Sequence, residues 1–321
     1  MESLIIICVS TKENKRLNDF TKKSVLIVGA GSSGLTLGHF LTQKGFTVAL
    51  LEKSNGLGGR IATRRWEDGK WDHGIPSIDK KEIPEVVWKL WAPALTKNIS
   101  LGDSKYSSPL GLTQAAKVLA RNLTVHKKTR VVRFEFLQDS ETWKVFDESN
   151  KPFLADVLVL TCPTPQTIEL LKASNLLEAS GMEQELSKIR YRSHLVALAI
   201  MESPAVQHLT EKPTAPFELI VNQSGFLSFY LDEVFSSSHW NQPDEEILRE
   251  LLGYIESMKI GKVKHIELKR WRYSNCLTPS ALPFLSAAKP FPLYAIGDSY
   301  CGGSLHGALT SALKLAECFI S

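Results

Sequence analysis

The feature that most constrains this chain is Gly29-Ala30-Gly31-Ser32-Ser33-Gly34, set directly after the apolar run Ser24 to Val28. A continuous SVLIV run with β-branched residues suits a strand buried on both faces, as in a parallel sheet. Leu35, Leu37, Phe40 and Leu41 then recur at helix-like intervals up to Gly45, and a second apolar run, Phe46 to Leu51, ends at Glu52. Strand, glycine loop, helix and strand make a βαβ unit of about the length that unit requires. Each glycine has its own task. Gly29 permits the tight turn, Gly31 lets the backbone approach a pyrophosphate, and Gly34 lets the helix pack closely on the strand. The helix start, with Ser33 in its first turn, presents unpaired N–H groups to phosphates. Glu52, 18 residues after Gly34, is placed to accept ribose hydroxyls and to repel a 2′-phosphate, and Lys53 follows it.

Composition narrows the class without naming a function. The chain has 321 residues, 43% hydrophobic and 22% charged, which excludes a mainly disordered chain, a collagen-like fibre and a small disulfide scaffold. Lys plus Arg is 38 against 34 Asp plus Glu, a net charge of +4. This is too mild a bias to point to nucleic acid. Cys8, Cys162, Cys276, Cys301 and Cys318 form no CxxC or Cys/His spacing, so no metal site is expected. They read as free thiols in a reducing compartment, which points to the cytoplasm. No run approaches the roughly 18 apolar residues of a membrane helix. Residues 1–23 carry Leu4 to Val9 without a basic region before it, then a polar Lys/Arg-rich stretch, and read as a leader and not as a secretory signal.

Asn55-Gly56-Leu57-Gly58-Gly59-Arg60 follows the second strand. Two adjacent glycines and an arginine make a second loop able to approach phosphate, with Arg60 supplying charge-assisted hydrogen bonds. NAD-only dehydrogenases do not generally need this extension, so it favours FAD. The ordered set continues with Ile61 to Arg65, Asp72-His73-Gly74, Pro109 to Leu112, Thr129-Arg130-Val131 and Leu158 to Pro165. Then come Tyr191-Arg192-Ser193, Lys269 to Ser274, Gly297-Asp298, Gly302-Gly303 and Gly307-Ala308. From about residue 24 onward this series resembles the renalase-like FAD-dependent oxidoreductases of the amine-oxidase and glutathione-reductase type.

The resemblance implies an α/β fold: a Rossmann-type FAD-binding domain with an inserted α+β substrate domain. Residues 24–75, 106–169 and 286–321 would form the first, and 76–105 with 170–285 the second. Short strands at Val131 to Phe136, Trp143 to Phe146 and Phe153 to Asp156 would make a β-meander, with the Val131 backbone at the adenine. Leu293 to Ile296 would be the last strand, and a helix would start near Leu305. The implied cofactor is non-covalent FAD. Gly29, Gly31, Ser33, Gly34, Glu52, Lys53, Gly58, Gly59, Arg60 and Gly74 would hold its nucleotide end. Gly297, Asp298, Gly303, Ser304 and Leu305 would meet the ribityl chain and flavin, where the C-terminal helix directs its positive end at the ring.

The implied reaction is hydride transfer from a dihydronicotinamide dinucleotide to flavin N5, with oxygen as final acceptor and hydrogen peroxide as product. It needs orientation and water exclusion, and neither a nucleophile nor a metal. Candidate pocket residues are Tyr191, His194, Trp271, Arg272, Tyr300 and His306, with Tyr191, Trp271, Arg272 and His306 the catalytic candidates. Two alternatives share the fold: a flavin amine oxidase, and a flavin-binding protein without turnover. The latter is motivated by Ile75-Pro76-Ser77-Ile78, which departs from the family pattern where a wall of the substrate cavity is expected. Substrate and oxygen are the only partners implied, with no nucleic acid and no membrane.

Overall fold

The computed structural model describes residues 23–67, 69–202, 213–223 and 225–320. The leader expected at 1–23 lies outside them except for Lys23.

The glycine-loop unit forms as the sequence dictates. β1 (Ser24–Val28) is buried from Val25 on, α1 (Ser32–Gln43) follows, and β2 (Thr47–Glu52) returns parallel to β1. Of the strands that follow, β8 (Thr124–Lys127) lies parallel beyond β2. On the other side of β1 lie β12 (Val157–Leu160) and then β18 (Leu293–Ala295), both parallel. β17 (Leu285–Ser286) closes this edge antiparallel. The sheet order is therefore β17-β18-β12-β1-β2-β8. Connections leave β1 and β12 in opposite directions, so a crevice opens beyond their carboxyl ends, where open α/β sheets bind ligands. One face of the sheet is covered by α1, α3 (Thr113–Ala120) and α8 (Ser304–Ile320), through a core that includes Leu35, Leu37, Leu41, Leu119, Leu309 and Leu315. α2 (Glu85–Trp91) joins it through Val87 and Trp91.

The opposite face meets the expected meander: β9 (Val131–Leu137), β10 (Thr142–Asp147) and β11 (Pro152–Ala155), all antiparallel. Trp143 is fully buried there, and its Nε1 donates to the Pro292 carbonyl at 3.1 Å. α4 (Thr164–Ala173) and α5 (Glu183–Leu186) complete this layer through Leu171 and Leu186.

A second sheet is wholly antiparallel, in the order β14 (Phe217–Gln223), β15 (Phe226–Leu231), β13 (Tyr191–Met201), β16 (Val263–Cys276). Alternation along β13 divides its faces. Leu195, Ala197 and Ala199 pack with Ile247, Leu251 and Ile255 of α7 (Asp244–Ser257) and with Phe235 of α6 (Glu233–Ser238). Val196 and Leu198 turn to Trp71 instead. Trp71 sits in a hairpin that the sequence reading did not find, β3 (Thr63–Trp66) with β4 (Gly69–Asp72). A small sheet of β5 (Ile78–Asp79), β7 (Lys105–Ser107) and β6 (Thr96–Lys97) flanks it. β16 extends through to Cys276 and so carries the Lys269 to Ser274 segment.

Candidate functional site

The three loop glycines behave differently, as their assigned tasks require. Gly29 has φ +108°, and a Cβ there would meet Thr161 Oγ1 at 2.5 Å. A Cβ on Gly34 would come within 2.2 Å of the Gly29 carbonyl, so the helix could not pack as it does. A Cβ on Gly31 would meet nothing within 4 Å. The loop is thus tight behind and open in front. Gly31 is also the N-cap of α1, with no side-chain cap and no acid in the first turn, so α1 itself supplies no anion to its positive end. Ser33 Oγ, buried beside it, has no hydrogen-bond partner. An open cradle, an uncapped helix start and an orphaned hydroxyl fit a pyrophosphate.

Glu52 is 9% exposed. Its Oε2 accepts from Ala30 N at 2.8 Å and its Oε1 from Ser54 N at 2.7 Å. The carboxylate therefore braces both loops and keeps lone pairs for further donors. Lys53 Nζ reaches Gln166 Oε1 at 3.4 Å on the exposed side. Gly58 N donates to the Ala30 carbonyl at 2.8 Å, and a Gly59 Cβ would lie 3.4 Å from the Gly31 Cα, so the GGR loop lies against the first glycine loop. Val131 is buried at the start of β9. Gly74 presses on backbone: a Cβ there would sit 1.9 Å from the Arg60 carbonyl.

At the far end of the crevice Arg60 Nη1 donates to Asp298 Oδ2 at 2.6 Å and to the Ser274 carbonyl at 3.0 Å. Tyr191 Oη donates to Asp298 Oδ1 at 2.9 Å and shares a hydrogen bond with Ser299 Oγ at 2.7 Å. Burial, then the charge of Asp298, pushes the Tyr191 hydroxyl far above its ordinary range, so it stays protonated. Beyond Gly297, Cys301, Gly302, Gly303 and Ser304 all take left-handed φ, from +53° to +87°. This stretch delivers the chain into α8. Ser304 Oγ then accepts from His306 N at 3.2 Å, and Leu305 packs onto the core beneath α1. Tyr300 is buried under the turn.

A cavity of about 230 Å3 opens between these loops and the second sheet. Arg60, Gly74, Ile75 and Pro76 form one wall, and His194, Val196, Tyr230 and Trp271 lie on the other. Trp271 Nε1 donates to the His73 carbonyl at 2.6 Å, and the two rings stack with centroids 5.3 Å apart. Burial, aided by Lys269 and Arg64, pushes His73 down to about 4. Trp271 and His194 are thus brought to the cavity, and Tyr191 to Asp298 beside it. Arg272 is exposed and lies outside the cavity lining. His306 is also outside it: Nδ1 donates to the Glu82 carbonyl at 2.9 Å and Nε2 faces Thr310 Oγ1 at 3.4 Å. The structure does not bring these two catalytic candidates to the others. Glu218 and Tyr230, which line the cavity, were missed because neither belongs to a motif. Asp72 was noted only within a motif. Its Oδ1 accepts from Thr63 Oγ1 at 2.6 Å and Leu112 N at 2.8 Å, and its Oδ2 from Gln223 Nε2 at 3.0 Å. Among the described residues no group of His, Cys, Asp or Glu is arranged to hold a metal, and no helix is long and apolar enough to cross a membrane.

Comparison with known proteins places this geometry in a wider set. A family model described as an NAD(P)-binding Rossmann-like domain matches residues 27–93. The L-amino-acid oxidase of Neurospora crassa is 38% identical over 66 residues, 20% of this chain and 10% of that oxidase. The match therefore spans about a tenth of that relative's own length. Cyclohexylamine oxidase from Brevibacterium oxydans IH-35A superposes with a TM-score of 0.67 at 11% identity, covering 93% of this chain and 99% of its own. A CLA-producing fatty acid isomerase from P. acnes gives 0.63 at 13% identity, over 94% and 99%. At such identities the likeness is one of fold, and a fold hosts more than one chemistry. The chain contains a Rossmann-like unit within an α/β fold that it shares with cyclohexylamine oxidase.

Proposed function

We propose that this chain is an FAD-dependent oxidoreductase of the renalase-like class, oxidising a dihydronicotinamide-type substrate with oxygen as the final acceptor. The observation that carries the cofactor is the open cradle at Gly31, beside the orphaned Ser33 hydroxyl and the buried Glu52 carboxylate. Gly29 to Gly34 and the α1 start would hold the pyrophosphate, Glu52 a ribose, and Asp298 a ribityl hydroxyl. When bound, non-covalent FAD supplies a hydride acceptor that oxygen regenerates with release of hydrogen peroxide.

The chain's own residues fit that task. Trp271, Tyr230, Val196, Ile75 and Pro76 give the cavity flat and apolar walls that orient a ring and exclude water. Hydride transfer needs no protein base, and the groups nearby are poorly suited to be one. His73 and His194 have lowered pKa values, chiefly through burial, and Tyr191 keeps its proton. Ile75 and Pro76, the departure that motivated a reading without turnover, still line a cavity, which supports turnover. The substrate unit would comprise residues 76–105 and 170–285, and the FAD unit 24–75, 106–169 and 286–321, in a cytoplasmic enzyme. The test is anaerobic mixing of the yellow protein with candidate reductants. Bleaching of the flavin by dihydronicotinamide isomers is expected. Bleaching by amines alone would replace this reading with an amine oxidase, and bleaching by neither would leave a binding protein.

A further inference from the structure

Asp298 ends a thread of hydroxyl groups that runs from the first sheet to the second. Thr164 Oγ1, at the start of α4, lies 2.6 Å from Ser299 Oγ, which lies 2.7 Å from Tyr191 Oη at the start of β13. Tyr191 Oη in turn lies 2.9 Å from Asp298 Oδ1. Thr164 and Ser299 are each 2% exposed and Asp298 5%, so these hydroxyls satisfy one another and not water.

The order of the protons follows from counting donors. Asp298, paired with Arg60 at 2.6 Å, is a carboxylate and can only accept. Tyr191 has one hydrogen and donates it there. Its oxygen must then accept from Ser299. Ser299, whose one hydrogen is now committed, must accept from Thr164. Every O–H therefore points the same way, toward Asp298, and each donor in such a line polarises the next. Arg60 Nη1 donates to the other carboxylate oxygen and also to the Ser274 carbonyl of β16 at 3.0 Å. Both oxygens of Asp298 are thus held from fixed directions, and both holds reach back to the second sheet.

We propose that Tyr191 is a positioning residue for the cofactor: at the end of this one-way thread it fixes the direction and the charge of Asp298, so that the second sheet sets how tightly the C-terminal turn holds FAD. The inference rests on the FAD reading and deepens it. It replaces a catalytic role for Tyr191 with one exerted through Asp298. The hydroxyl and not the ring is the means. Tyr191 meets Tyr273 edge-on with centroids 5.7 Å apart, a contact that phenylalanine would keep.

Fluorescence titration of FAD into the flavin-stripped protein tests this on three variants, each lacking one hydroxyl of the thread. Affinity should fall about tenfold in Tyr191→Phe, the scale of a hydrogen bond to a charged acceptor. It should fall about threefold in Ser299→Ala, which keeps the Tyr191 bond without its supporting donor, and less than about twofold in Thr164→Val. Stability in urea should not follow that order, since each variant removes one hydroxyl from the same buried thread. A hydroxyl with a merely structural role would lose affinity in step with stability. Acid separates the two roles as well. Among the described residues Arg60, Tyr191, Tyr300 and Cys276 feel the charge of Asp298, and none of them changes its own charge between about pH 7 and 5. Without the Tyr191 donor Asp298 should take up a proton more readily, so the affinity of Tyr191→Phe should fall over that range more steeply than that of the native protein or Thr164→Val. The gradient is read from any two variants that fold. Equal losses along the thread, losses that track stability, or a Tyr191→Phe pH profile parallel to the native one would each overturn the proposal. FAD bound equally well by all three variants defeats this inference alone, whereas a native protein that takes up no FAD defeats the cofactor reading and this inference with it.

Discussion

Glu52 holds the glycine loop with the same carboxylate proposed to meet a ribose, since its two oxygens take the N–H groups of Ala30 and Ser54. Glu52→Gln turns one acceptor into a donor opposite an N–H, leaving a buried group unpaired at a cost of about 1–3 kcal/mol. FAD retention and thermal stability should therefore fall together. A variant whose flavin affinity, measured by fluorescence titration, matches the native protein would remove Glu52 from the nucleotide site. His73 makes a different prediction. Its folded value is near 4 against an ordinary 6.5, so the unfolded chain binds a proton in this range that the folded one refuses. Stability should fall as pH drops from about 6.5 to 4, by on the order of 2 kcal/mol from this group. His73→Gln should flatten that slope in denaturant titrations at stepped pH, and an unchanged slope would assign the effect to other groups. Glu52 was legible in the sequence because its role depends on local spacing from Gly34. His73 was visible only as part of a DHG triplet. What lowers its pKa, burial beside Trp271 with Lys269 nearby, comes from residues almost 200 positions away.

At the scale of elements, the turn into α8 is the least ordinary piece of backbone. Cys301 and Ser304 hold left-handed φ without being glycine, which costs roughly 1–2 kcal/mol per residue. Gly303 lies between them with φ +87°, and a Cβ there would rest 3.4 Å from Pro279 Cγ. Space is tight but not closed, so conformational strain dominates the cost of substitution. Gly303→Val should lower flavin occupancy and the rate of flavin reduction in stopped-flow mixing, and an unaffected variant would show that this turn does not meet the flavin. Gly307→Ala should act more on packing, because its Cβ would fall 2.3 Å from the Tyr300 carbonyl. The elements were mostly legible where their signal was contiguous: β1, α1, β2 and the meander lie close to their expected bounds. The β3–β4 hairpin was not, because TRRW and GKWD have no clean alternation and are fixed by Trp71 meeting Val196 and Leu198. The bulges at Glu218 and His194 were also hidden, since register is settled by partner strands far away in the chain.

Across the whole molecule, two buried carboxylates, Asp72 and Asp298, help join the first sheet and its loops to the second sheet. Asp72 ties the β3–β4 hairpin to the start of α3 and, through Gln223, to β14. The Arg60–Asp298 pair, with Tyr191, ties the GGR loop to β13 and the C-terminal turn. Asp72→Ala leaves Leu112 N and Gln223 without their acceptor and should lower stability by about 2–3 kcal/mol. Urea unfolding measures this, and a loss under about 0.5 kcal/mol would show that the junction carries little. The larger consequence concerns order in time. β18 and α8 complete a layer that β1 and α1 begin, with Leu309, Leu315 and Phe319 closing over Leu35, Leu37 and Leu41. At about 5–20 residues per second on the ribosome, α1 waits tens of seconds for that cover. Over that interval one side of α1 stays greasy and bare, and β12, once made, lacks its β18 neighbour. Newly made chains should therefore depend on chaperones, and slowing translation between β12 and α8 should increase aggregation more than slowing it before α1.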